Sequence, residues 1–118
     1  MEQPLRRGPV LGREQAEEWA GWFRALGDPT RVLILNLLTR EGRPMAVGEI
    51  TAALDVGQST VSHHLARLAE VGFVHVEHVA TSSRWSVNAA CIAAFPSAAE
   101  MVMGNVPADY LRAKEAAT

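Results

Sequence analysis

Apolar residues recur at helical spacing in five stretches of this chain and alternate with polar ones in only one region. Trp19, Trp22, Phe23 and Leu26 give the i, i+3, i+4, i+7 pattern of an amphipathic helix and predict one over Arg13 to Ala25. Asp28-Pro29 then opens a second helix, because Asp28 can cap it and Pro29 fits the first turn without losing a bond. Ile34, Leu35 and Leu38 are its inner stripe, and Arg40-Glu41-Gly42-Arg43-Pro44 ends it in a loop. Val47, Ile50 and Leu54 mark a third helix starting near Ala46, and Asp55-Val56-Gly57 supplies a three-residue turn with a glycine. In the fourth helix Val61, Leu65 and Leu68 share one stripe at about 100° per residue. Val71-Gly72-Phe73 stops it.

Two strands follow, Val74 to Val79 and Arg84 to Val87, around the link Ala80-Thr81-Ser82-Ser83. Asn88 caps a fifth helix from Ala89, where Cys91, Ile92, Phe95, Ala99 and Val102 recur near helical spacing. Pro96 predicts a kink or a break there, and Pro107 starts a short last helix through about Ala113. The fold class is therefore mainly α (α+β), a winged helix-turn-helix with five to six helices and a two-stranded β-hairpin wing. Residues 1 to 12 carry Pro4, Gly8, Pro9 and Gly12 with Arg6 and Arg7, and read as a flexible N-terminal arm before a single domain at 13–118. That arm is either a disordered terminus or a basic segment that touches DNA.

The polar side of the fourth helix is the informative surface. Ser59, His63 and Arg67 fall opposite the apolar stripe, with Thr60 and Ala66 beside them. Small hydroxyls, an imidazole and a guanidinium can approach base edges and phosphates without a steric barrier. An ordinary solvated helix face would look similar, but the helix-turn before it and the hairpin after it favour DNA.

With those motifs in order, the chain resembles the ArsR/SmtB family of winged-helix transcriptional repressors. The resemblance rests on Ala25-Leu26-Gly27-Asp28-Pro29-Thr30-Arg31-Val32-Leu33-Ile34-Leu35, on Gln58-Ser59-Thr60-Val61-Ser62-His63-His64-Leu65, and on Leu68-Ala69-Glu70-Val71-Gly72-Phe73-Val74. It spans roughly residues 19 to 88. It implies a homodimeric repressor that binds double-stranded operator DNA as an inverted repeat, with Gln58, Ser59, Thr60, Ser62, His63 and Arg67 of the fourth helix and Arg84 of the wing as contacts. It also implies a dimer formed by the first and fifth helices, through Trp19, Trp22, Ile92, Phe95 and Val102.

Composition modifies this picture. The chain has 118 residues, 48% of them hydrophobic, enough for one small core. A formal charge of −2 is low for a DNA-binding domain and weakens nonspecific affinity without removing specific contacts. Lys114 is the single lysine, so arginine, suited to bidentate contacts, carries nearly all the positive charge. Thr81-Ser82-Ser83-Arg84 gives the wing only one cation. No apolar run is long enough for a bilayer and there is one cysteine, so a cytoplasmic protein with no membrane partner and no internal disulfide is expected.

Many members of the resembled family sense metals, but most of their ligands are missing here. The third-helix cysteine motif is replaced by Met45-Ala46-Val47-Gly48-Glu49-Ile50. At the fifth-helix positions stand Ala89, Cys91, Val102 and Asn105, of which only Cys91 could bind a metal. Cys91 otherwise reads as a small buried hydrophobe. His75 and His78, three apart, fall on opposite faces of a strand and do not chelate as a pair. His64 lies about 60° from the core stripe and is expected to pack or bond locally. No cofactor is required, and a transition-metal effector such as nickel or zinc would rest on Cys91, His75 or His78. No phosphate loop or nucleophile pair suggests an enzyme. The alternative to an operator-binding repressor is a winged-helix interaction module that regulates only with a second protein.

Overall fold

The computed structural model describes residues 10–105; the proposed arm up to Pro9 and the short helix expected after Pro107 lie outside them. Five helices and one hairpin follow in the expected order: α1 Arg13–Ala25, α2 Pro29–Glu41, α3 Val47–Leu54, α4 Gln58–Glu70, β1 Val74–Val79, β2 Ser82–Val87 and α5 Ala89–Val102. Asp28 caps α2 by accepting from the amides of Thr30 (2.8 Å) and Arg31 (3.3 Å), and Gly42 closes it at φ 65. Ala46 has no side-chain oxygen to cap α3, but the Glu49 carboxylate accepts from its amide at 2.9 Å.

The stripes meet in one core. Ile34 and Leu38 of α2, Ile50 of α3, and Val61, Leu65 and Leu68 of α4 are fully buried, and Phe73 closes the cluster between α4 and the hairpin. Each such side chain stabilises the fold by about 1.5–3 kcal/mol relative to exposure. One link escaped the hydrophobic pattern: Met45, in the loop before α3, exchanges two backbone bonds with Trp85 of β2 and ties the wing to the helices.

Three details differ from expectation. Of the kink or break expected at Pro96, the break does not occur, because the ladder loses only one donor there and alanines at 89, 90, 93, 94, 98 and 99 favour helix on both sides. In the turn before α4 the left-handed residue is Asp55 (φ 55), while Gly57 is extended at φ −61 and a Cβ there would meet nothing within 4 Å. Aspartate tolerates that conformation, so the glycine is not what makes the turn.

The third difference is in the wing. Val79 pairs with Ser82, so the link is a two-residue turn, Ala80-Thr81, and β2 starts two residues early. The turn closes because Ala80 adopts φ 56, which an L residue with a Cβ does at a cost of about 1–2 kcal/mol. Ala80→Gly should relieve part of this strain. A gain of about 0.5–1 kcal/mol in chemical denaturation is expected after the extra entropy of an unfolded glycine is subtracted.

Candidate nucleic-acid interface

The fold divides α4 into two faces. Val61, Leu65 and Leu68 are wholly buried, whereas Gln58, Ser59, Thr60, Ser62, His63, Ala66 and Arg67 are all exposed on the outer side. Gly57 offers no side-chain cap, so the first-turn amides of α4 also face outward with the positive end of the helix dipole. The structure thus places every fourth-helix residue singled out in the sequence on solvent-accessible surface.

The cations are partly neutralised by carboxylates that the sequence reading did not weigh. Arg67 pairs with Glu70 at 3.2 Å, an exposed contact worth little by itself. Arg84 stands opposite Glu77 across the hairpin. The wing's single cation therefore has a negative neighbour. His78 lies within 3.1 Å (Nδ1 to Oγ) of Ser83, and His75 stands opposite Ser86.

What holds α4 in place is a latch that periodicity could not show. Arg31 Nη1 donates to His64 Nδ1 at 3.1 Å, and Arg31 Nε donates to the Ala25 carbonyl at the end of α1. A guanidinium can only donate, so Nδ1 must accept and the ring proton sits on Nε2. That nitrogen faces the Asp28 carboxylate at 3.8 Å. His64 is mostly buried, so its imidazole, directly beside His63, ties α4 to the start of α2, and Arg31 extends the tie to the end of α1. The signal in the sequence was Asp28-Pro29-Thr30-Arg31 together with the second histidine of His63-His64, 33 positions beyond Arg31.

Burial opposes ionisation of Asp28, but the Arg31 and Thr30 amides outweigh it, with His64 and Arg31 adding to the effect, so its carboxyl lies below the usual range. The Ala46 amide, against some desolvation and with help from Arg43, does the same for Glu49. A carboxylate with a depressed native pKa stabilises the fold fully above its unfolded value, and this is lost as pH falls through the native one. Thermal stability should therefore be flat from neutrality to about pH 5 and fall below about pH 4. Asp28→Asn with Glu49→Gln should lower the melting temperature at pH 7 and flatten that acid limb, measured by circular dichroism.

The metal candidates do not assemble. Burial, reinforced by Glu18, raises the Cys91 thiol above its ordinary pKa, the opposite of what a thiolate ligand needs. His75 and His78 are exposed and fall on opposite faces of β1. Among the described residues no three His, Cys, Asp or Glu side chains are grouped to hold a metal ion. The metal proposed from Cys91, His75 or His78 has no site within these residues of one protomer.

The residues assigned to a dimer interface fare unequally. Trp19 is only 6% exposed in the single chain and has little left to give a partner. Trp22 is half-buried and packs on Phe73 (5.9 Å between ring centroids) and Phe95 (6.1 Å), so its ring joins α1 to α5 within the protomer. Ile92 and Phe95, with Leu26, Val32, Leu35 and Pro96, line an open apolar groove of about 320 Å³ between α2 and α5. Val102 is 43% exposed, and Phe23, Val32, Leu33 and Met103 are further apolar surface that the sequence reading did not assign to a partner.

A helix-turn-helix with a hairpin wing and a polar outer face on its second helix defines a winged-helix protein of the DNA-binding type. Residues 28–76 match the family model for the bacterial regulatory proteins of the arsR family. An HTH-type transcriptional regulator of Methanocaldococcus jannaschii is 46% identical over 61 residues, 52% of this chain and 67% of that protein. A homolog of the transcriptional repressor SmtB from Synechocystis is 32% identical over 78 residues, 66% of this chain and 58% of the homolog. The homodimeric winged helix-turn-helix DNA-binding domain Mb0332 of Mycobacterium bovis superposes with a TM-score of 0.63 at 23% identity, over 81% of this chain and 89% of that one. The chain belongs to the ArsR family. It is a transcriptional regulator of the DNA-binding kind rather than an enzyme. Among the described residues no helix is long and apolar enough to cross a membrane.

Proposed function

We propose that this protein is a homodimeric repressor whose α4 reads an operator as an imperfect inverted repeat. The observation that carries the reading is the exposed outer face of α4, from Gln58 to Arg67, held in one orientation by the His64 latch. Ser59, Thr60, Ser62 and His63 would meet base edges or nearby phosphates, and Arg67 and, from the wing, Arg84 the backbone. Dimerisation through α1 and α5 is supported by the exposed apolar surface at Phe23 and Val102 and by the homodimeric state of the Mycobacterium bovis domain. Repression is supported by the kinship with the SmtB homolog. Such a protein acts in the cytoplasm, where the DNA is.

The test is a footprint on the DNA upstream of the protein's own operon. Protection of two half-sites about 34 Å apart, one helical turn, is expected. Protection of an unrepeated sequence would refute the two-fold arrangement, and no protection without an added protein would favour the interaction-module reading.

A further inference from the structure

Three arginines from three helices converge on one depression beside the reading helix. It has a volume of about 410 Å³ and is lined by Gly21, Arg24 and Ala25 of α1, Arg31 of α2, and Arg67 and Glu70 of α4, with Val71 at its edge. The described residues hold seven arginines in a chain of formal charge −2, so three of them lining one notch is a marked concentration of positive charge. Arg31 is the fixed member: the Ala25 carbonyl and His64 take two of its N–H groups and set its position. Three of the five donors of a guanidinium remain. Arg24 enters no ion pair among the described residues. Arg67 is engaged only by Glu70, an exposed pair that an anion can displace at little cost. Glu70 is the single carboxylate of the lining.

We propose that this notch is an anion site that takes a phosphoryl group. A carboxylate offers two oxygens and one charge and is satisfied by one arginine, whereas a terminal phosphoryl group presents three oxygens and up to two charges, and a DNA strand presents successive phosphodiesters, each with two free oxygens and one charge. The phosphoryl group has two available sources. One is the operator backbone, since Arg67 lies one turn beyond His63 on the outer face of α4; this source rests on the DNA-binding reading above. The other is a free phosphorylated small molecule, which needs no DNA.

Arg24→Gln is the informative variant, because Arg24 is exposed and its side chain makes no hydrogen bond or ion pair among the described residues. Two measurements compare it with wild type: calorimetric titration with pyrophosphate at low salt, and the salt dependence of operator binding, with His63→Ala as the control for base reading. If the source is the backbone, Arg24→Gln should weaken operator binding several-fold and lower the salt slope by about one. If it is a free ligand, the variant should lose at least about five-fold in pyrophosphate affinity with operator binding unchanged. Wild-type behaviour of Arg24→Gln in both measurements overturns the site. Should His63→Ala lose operator binding in that case, the DNA reading stands without the notch. Should wild-type protein bind no operator, the pyrophosphate titration decides the notch alone.

Discussion

Val102→Glu should convert the protein from dimer to monomer. Val102 closes the last turn of α5 with 43% of its surface exposed, so a carboxylate there is solvated in the single chain and leaves the core intact. In a dimer built on α1 and α5 the same carboxylate would be buried without a counter-ion, which association cannot repay. Phe23→Glu is the matching change on α1, although Phe23 also meets Phe95 edge-on at 5.4 Å, so some stability should be lost with it. Trp22→Glu is the poorer test, because Trp22 is wedged between Phe73 and Phe95 and its loss should unfold the protomer. Light scattering should report half the wild-type mass for Val102→Glu, and circular dichroism an unchanged helical spectrum. A monomer presents one reading helix, so operator affinity should fall by about 10²–10⁴-fold with the loss of the second half-site. A dimer mass for folded Val102→Glu would remove α5 from the interface.

The same residues show what the sequence could and could not reveal. Helix starts were legible where a side chain or ring makes them, at Asp28-Pro29 and Asn88, because capping is local chemistry. The stripes of α2, α3 and α4 were legible because burial follows the helical period. Division of labour among the apolar residues was not: Trp19, Trp22 and Val102 all read as surplus apolar area, and only packing shows that Trp19 is buried in the single chain and that Trp22 stacks on Phe73 and Phe95. Partners distant in the chain were equally hidden. His64 was readable as neither core nor reading face, but its ties to Arg31 and Asp28 depend on how α2 crosses α4. Turn residues misled where a non-glycine accepts a left-handed backbone, at Asp55 and Ala80. Charge near the reading face was misjudged for a third reason: Glu70, one turn past Arg67, entered only as part of the Leu68 to Val74 motif and was not weighed as a partner.

His63→Ala should cost roughly 1–3 kcal/mol of operator affinity, about 5- to 150-fold, while leaving the fold unchanged. His63 is exposed, with its ring edge-on to that of His64 at 5.6 Å, so its removal opens no buried cavity. It precedes the latch residue by one position, so the latch fixes the backbone from which the imidazole projects. The loss should be largest on the cognate site and small on unrelated DNA, because base contacts specify and phosphate contacts position. Arg67→Ala should behave differently. Its guanidinium is shared with Glu70, and its removal should weaken binding to all sequences alike and lower the salt slope by about one. Glu70→Gln provides the reverse experiment: it releases Arg67 from its carboxylate and should strengthen binding to operator and unrelated DNA together, most at low salt. Affinities measured by fluorescence anisotropy across a salt series separate these outcomes. Wild-type affinity in folded His63→Ala and Arg67→Ala alike would mean that the outer face of α4 does not read DNA. The helix-turn-helix would then serve a protein partner, with His63 and Arg67 as the first residues to test for that contact.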